Sequence, residues 1–122
     1  MARARRLKHL FGGAMRQAGI VAAGAWYALD NNIDRLAEDH ANARRLAEGL
    51  AELPGIAIDP AVVSTNIVVF EVADAPAFVA ALLEHGVDML DLGPTTVRAV
   101  THLDVSAPEI ERALEAVRAV TG

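Results

Sequence analysis

The 122-residue sequence contains no cysteine, which excludes a disulfide framework and any thiolate metal site. Its four histidines, His9, His40, His85 and His102, are scattered, and none lies four residues from another. No helical metal-binding pair can be built from them. Acidic residues are missing from the first 29 positions, the earliest being Asp30. That stretch carries Arg3, Arg5, Arg6, Lys8 and Arg16 for +5, whereas residues 30–122 set six arginines against sixteen acids for −10. Aromatic residues make up only 4% of the chain. Phe11 is the one aromatic beside the basic cluster, which argues against nucleic-acid binding. Long hydrophobic runs are also missing: Ala18 to Leu29 falls short of the ~20 residues that span a bilayer. The basic start superficially resembles a targeting peptide, but Gly12-Gly13 and Arg16-Gln17 interrupt it. With no cysteine and a poor leader, a cytoplasmic location is expected.

The sequence is nonetheless 53% hydrophobic, with a mean hydropathy of +0.30, much of it alanine. The length allows at most one ordinary domain. Apolar surface beyond what such a domain buries implies a partner, another domain or a missing part of the polypeptide.

Arg3 to Phe11 reads as the end of a helix that stops at Gly12-Gly13, a pair that enters left-handed conformations easily. From Met15 to Leu29 the chain is helical again and apolar nearly all round, the pattern of a buried helix. Asp30-Asn31-Asn32 offers cap chemistry for a further helix or a kink in one long one. Leu29, Ile33, Leu36, His40, Ala43, Ala47 and Leu50 then recur at alternating four and three spacing. They predict an amphipathic helix of about five turns, closed by Leu53-Pro54-Gly55, with His40 as a packed histidine on its stripe.

Beyond that turn the period becomes strand-like. Ile56 to Ile58 is a short strand candidate, and Thr65 to Val72 a strong one with a central, buried character. Ala75-Pro76 opens a helix with inner face Phe78, Val79, Leu82 and Leu83, and His85-Gly86 ends it. Val87 to Leu92 and Thr96 to Thr101 are the next strands. Ser106 and Glu109 have capping-box spacing for a final helix with Ile110, Leu114 and Val117 inward. The fold class is α/β: long helices, then a β-α-β-β-α unit forming a small antiparallel or mixed sheet with helices on one face.

Two stretches place cations where chemistry needs them. Gly12 to Gln17 is a glycine turn at a helix start with Arg16 in the first turn, a pattern suited to phosphate but shared with ordinary helix breaks. The strand Thr96 to Thr101 sets Arg98 among small and branched apolar residues. A guanidinium there holds a carboxylate or phosphate bidentately, unless it is an edge-strand arginine reaching water.

Taken together, Gly-Gly-Ala-Met-Arg-Gln-Ala-Gly at 12–19, the helix at 36–50, Thr65-Asn66, and Val-Arg-Ala-Val-Thr-His-Leu-Asp-Val-Ser at 97–106 resemble the C-terminal portion of low-specificity L-threonine aldolases. These are pyridoxal-phosphate enzymes of the aspartate-aminotransferase fold type, also grouped with the β-eliminating lyases. The resemblance covers essentially the whole chain. It implies that residues 1–29 are a remnant of the cofactor-binding large domain, and that residues 30–122 are the connecting helix and small C-terminal domain. Arg16 would then reach a cofactor phosphate, that of a neighbouring subunit, and Arg98 would hold the substrate α-carboxylate. His102 and Asp104 would support the strand end.

The implied reaction of the intact family is retro-aldol cleavage of L-threonine or L-allo-threonine to glycine and acetaldehyde, with pyridoxal phosphate as cofactor. The implied partners are the missing large domain or further copies of the chain, with no role for nucleic acid or membrane. Ala14 stands where the family usually has a third glycine. The family's cofactor-linking lysine lies upstream of the matched segment, and Lys8, the sole lysine here, sits in a basic helix end, so the chain alone is expected to be inactive. The alternative is a stand-alone small-molecule-binding or regulatory module in which Arg98 is the anion contact.

Overall fold

The computed structural model describes residues 1–13 and 15–122, and the expectation of strain at Ala14 lies outside them. The structure divides into two compact units, Met1–Asp34 and Arg35–Gly122.

The first unit holds helices α1 (Ala2–Leu10) and α2 (Ala18–Asn31), neither of which contains a buried residue. α1 ends where Gly12 takes φ +73°, a value that costs glycine little. α2 is apolar on most sides, yet Ile20 is 81% exposed and Trp26 69%. Its end corrects the expectation placed on Asp30 to Asn32: the Asn31 side chain donates back to the Tyr27 carbonyl at 2.8 Å. Asn31 thus closes α2 instead of capping the next helix.

The second unit runs α3 (Leu36–Ala51), a short 3-10 turn (Pro60–Val62), β1 (Ile67–Glu71), α4 (Ala75–Glu84), β2 (Leu90–Asp91), β3 (Thr96–Val100) and α5 (Ala107–Thr121). The three strands form an antiparallel sheet in the order β1-β3-β2. The β-α-β-β-α order therefore holds, with helices on one sheet face. Val68, Phe70, Val97 and Ala99 pack with Leu46, Leu50, Leu82, Leu114 and Val117 into one core. Each fully buried large side chain contributes about 1.5–3 kcal/mol. Phe70 and Phe78 meet edge to face with ring centroids 5.9 Å apart.

α3 and α5 approach so closely that a Cβ on Gly49 would lie 2.5 and 2.7 Å from the Leu114 methyls. Across the same pair of helices the Arg45 guanidinium forks onto Glu111 at 2.7 and 2.8 Å. Local signals placed the helix ends well. The Asp74 carboxylate accepts the Ala77 N–H at 3.0 Å at the start of α4. Gly86 takes φ +76° just beyond its end. At the start of α5 the Glu109 carboxylate accepts both the Ser106 N–H and the Ser106 hydroxyl at 2.7 Å.

Several expectations need correction. β1 is an edge strand with one open face, and β3, not β1, is central. The Ile56–Ile58 segment makes only an isolated bridge, Ala57 to Glu71, and the strand expected over 87–92 shortens to Leu90–Asp91. Leu83 is 60% exposed, so the inner face of α4 is narrower than its apolar pattern. On α3 the buried position is Asp39, while His40 is exposed. One step of helical phase, about 100°, separates the two residues, and the face turned inward is the one that carries Asp39 with Ala43 and Leu46.

Candidate functional site

Alternation along the strands builds the site. Val68, Phe70, Val97 and Ala99 point into the core, so the intervening residues share the opposite, open face. On that face the antiparallel register sets Arg98 between Val69 of β1 and Leu90 of β2, with Val100 beside Ile67 and Thr96 beside Glu71. Arg98 therefore occupies the middle of a three-stranded surface that is otherwise mostly branched and apolar. Its Nε is buried and finds no hydrogen-bond partner among the described residues. Nor does Arg98 belong to any ion pair among them. Leaving a buried donor unpaired costs about 1–3 kcal/mol, more for a charged group, and a carboxylate presented to the guanidinium fork would remove that cost. The edge-strand alternative for Arg98 does not hold, because its strand is paired on both sides.

The nearest acid on this face is engaged elsewhere. Glu71 accepts a hydrogen bond from the Thr96 hydroxyl at 2.8 Å. The hydroxyls of Thr95 and then Thr96 hold its carboxyl below the ordinary carboxylate range. Glu71 thus stays ionised without neutralising Arg98.

The strand end next to Arg98 is fastened by a buried polar clasp. The Thr101 hydroxyl donates to the Asp39 carbonyl at 2.7 Å, the Asn66 side chain donates to the Thr101 carbonyl at 2.7 Å, and the Thr101 N–H donates to the Asn66 carbonyl at 2.9 Å. The Asp39 carboxylate, buried, takes a two-pronged contact from Arg35 at 3.3 and 3.5 Å. The Asn42 side chain donates to the Val105 carbonyl at 3.0 Å, tying the following turn to α3. In that turn the Asp104 N–H donates to His102 Nδ1 at 3.3 Å. Satisfied buried polar groups of this kind rigidify the segment that carries them.

Arg16 lies in the other unit, in the turn before α2. It is exposed and forms no ion pair among the described residues. Gln17, the residue before α2, has φ +53° and offers no side-chain cap to the helix. The first-turn N–H groups of α2 are therefore left without that side-chain acceptor. Arg16 and Arg98 belong to separate units.

Glu71, Thr95, Thr96 and Asp39 were not singled out by sequence reasoning, and Asn66 and Thr101, quoted there as motif residues, were not foreseen as partners in a clasp. Glu71 carries one signal, a charge inside a strong strand pattern, but its partners become visible only with the register. Asp39 carries none, since it sits among other charges on α3.

A small antiparallel sheet backed by helices, with Arg98 in its open face, defines a small α/β domain. Comparison with known proteins carries this further. Residues 1–75 match the beta-eliminating lyase family, and the chain belongs to that family. It is 35% identical over 117 residues to a probable low-specificity L-threonine aldolase 2 of Arabidopsis thaliana, covering 92% of this chain and 33% of that protein. It is 43% identical over 110 residues to the low specificity L-threonine aldolase of Escherichia coli K12, covering 88% of this chain and 32% of that one. The chain thus spans about a third of the length of the curated relatives it matches. Among solved structures, one described as "The structure of MppP soaked with the product 2-ketoarginine" superposes with a TM-score of 0.60 at 20% identity, over 77% of this chain and 30% of that chain. That likeness is one of fold. Among the described residues no helix is long and apolar enough to cross a membrane.

Proposed function

We propose that this chain corresponds to the C-terminal third of a threonine-aldolase-like lyase, and that Arg98 holds the α-carboxylate of its amino-acid substrate. The observation that carries the reading is the buried Nε of Arg98, without a hydrogen-bond partner among the described residues, at the centre of an open, largely apolar sheet face. A carboxylate docked on the fork satisfies that nitrogen and fixes the substrate about two points, which aligns the rest of it. Val69, Leu90 and Val100 flank the fork and offer half-exposed apolar surface to the remainder of the substrate. The clasp on Thr101 holds β3, and with it Arg98, against α3. In this reading residues 1–29 belong to a large domain and residues 30–122 form the connecting helix and small domain.

Pyridoxal phosphate is the cofactor of this reading, and it supplies the electron sink for bond cleavage at Cα when bound. The donor set near residue 16 fits its phosphate: a guanidinium with no ion pair among the described residues, beside a helix start that lacks a side-chain cap. Lys8 does not fit the covalent attachment. It is exposed at the end of α1, and its carbonyl accepts the Gly13 N–H at 2.8 Å. The linking lysine therefore comes from outside these residues, and the 122-residue chain by itself is inactive. The exposed apolar surface of α2 is where the remainder of a large domain, or another copy of the chain, would pack.

The test is a chimera in which the upstream two-thirds of a low-specificity L-threonine aldolase is joined to this chain and assayed for aldehyde release from L-allo-threonine. Arg98→Gln is expected to lower kcat/KM by about two to three orders of magnitude, since it leaves a charged partner unpaired. Arg98→Lys keeps the charge but loses the fork and falls in between. An active chimera indifferent to Arg98→Gln would sink the assignment.

A further inference from the structure

Arg98 shares its face with one acidic strand residue, Glu71, and the two do not form an ion pair. Glu71 stands opposite Thr96, and Thr96 is two residues from Arg98 on the same side of β3. Glu71 and Arg98 are therefore diagonal cross-strand neighbours, about 7 Å apart in a sheet of this kind. Without restraint, a glutamate and an arginine so placed would swing together. Here the Thr96 hydroxyl takes the Glu71 carboxylate at 2.8 Å and holds it at its own end of β1. The result is a cation and an anion kept side by side and apart, on a surface whose other nearest residues are Val69, Leu90 and Val100.

We infer that Glu71 is a specificity-determining residue of the Arg98 site, selecting ligands with one carboxylate over those that carry a second negative charge. The inference rests on the reading of Arg98 as the carboxylate holder. A monocarboxylate meets Arg98 with its anionic end and the apolar residues with the remainder. A dicarboxylate must place its second charge near Glu71 on the same small face. The lowered titration range of Glu71, caused by the Thr95 and Thr96 hydroxyls, keeps that repulsion in force throughout the neutral range. At about 7 Å near water, one like-charge contact is worth roughly a three- to sevenfold change in affinity.

The experiment is a titration of the 122-residue chain with propionate and with succinate at constant ionic strength, followed by NMR at the Val69, Leu90 and Val97 amides. Glu71→Gln keeps an oxygen for the threonine hydroxyls while removing the charge. It is expected to raise the succinate-to-propionate affinity ratio roughly threefold to sevenfold. Thr96→Val releases the carboxylate to pair with Arg98, and is expected to weaken both ligands. Arg98→Gln abolishes both. An unchanged ratio in Glu71→Gln, with binding still lost in Arg98→Gln, overturns the role of Glu71 and leaves that of Arg98 standing. Affinities unchanged in Thr96→Val show that the hydroxyl does not hold the carboxylate away from Arg98, which also overturns it. No saturable shift with either ligand in the unaltered chain overturns the reading of Arg98 itself, and the inference with it.

Discussion

Residues 1–34 and residues 35–122 are built from similar material, alanine-rich helices with branched apolar residues, and meet different fates. In the first unit α2 exposes Ile20, Val21, Trp26 and Leu29, and no residue of α1 or α2 is buried. In the second unit Leu50, Phe70, Leu82, Leu114 and Val117 are almost completely enclosed. The difference lies in what the helices have to pack on. α3, α4 and α5 share a sheet face, and their stripes close over Phe70 and Val97. A helix that is apolar all round needs neighbours on every side, and no residue of α2 is buried. Equal hydrophobicity in sequence does not mean equal stabilisation: only apolar area removed from water contributes.

The sharpest way to break this comparison is to truncate one large side chain in each unit. Phe70→Ala is expected to destabilise the second unit by about 3–5 kcal/mol in chemical denaturation, through lost burial and a residual cavity. Trp26→Ala, on the exposed surface of α2, is expected to leave the same transition unchanged within about 0.5 kcal/mol. A comparable loss from Trp26→Ala would mean that α2 contributes to that cooperative core. A smaller effect comes from the clasp. Thr101→Val keeps the volume but leaves the Asp39 carbonyl without its hydroxyl donor, costing about 1–3 kcal/mol. The Val97 and Ala99 amide resonances should shift as β3 loosens, and a spectrum unchanged there would separate the clasp from the positioning of Arg98.

The smallest effect concerns pH. Glu109 is held below its ordinary value of 4.5 by the Ser106 N–H, the Ser106 hydroxyl and Arg112, and Glu71 below the same value by Thr95 and Thr96. The folded unit therefore binds fewer protons than the unfolded chain around that pH. Their stabilisation is whole above 4.5 and is lost as pH falls through the lowered folded values. The urea midpoint of the second unit should drop on acidification below that point. Glu109→Gln should flatten the drop, and an identical pH profile in that variant would show that the cap carries none of it.

Much of the second unit was legible because its signals are local. Ser106 with Glu109, Asp74 before Ala75-Pro76, and Gly86 after His85 mark helix ends through bonds that span only a few residues. The strand around Arg98 was legible too, and the structure turns its Val97 and Ala99 inward. What escaped depends on pairing between distant segments. The open face of β1 and the central place of β3 follow from which strands found each other, and β1 alone reads as a buried central strand. The main-chain carbonyl of Asp39 is likewise bonded by the Thr101 hydroxyl, more than sixty residues away, and no local signal on α3 marks that docking.

By itself, then, the sequence determined the order of helices and strands in the second unit, the ends of α4 and the start of α5, and the presence of two cations suited to anions, Arg16 and Arg98. Those properties come from backbone chemistry and side-chain periodicity within a few residues. Only the tertiary structure decided that Arg98 stands mid-sheet with an unpaired Nε, that Glu71 is drawn off by threonine hydroxyls, and that Thr101 locks the strand to α3. Each of these depends on register, and register is set by the burial of whole faces, which no short window of sequence contains.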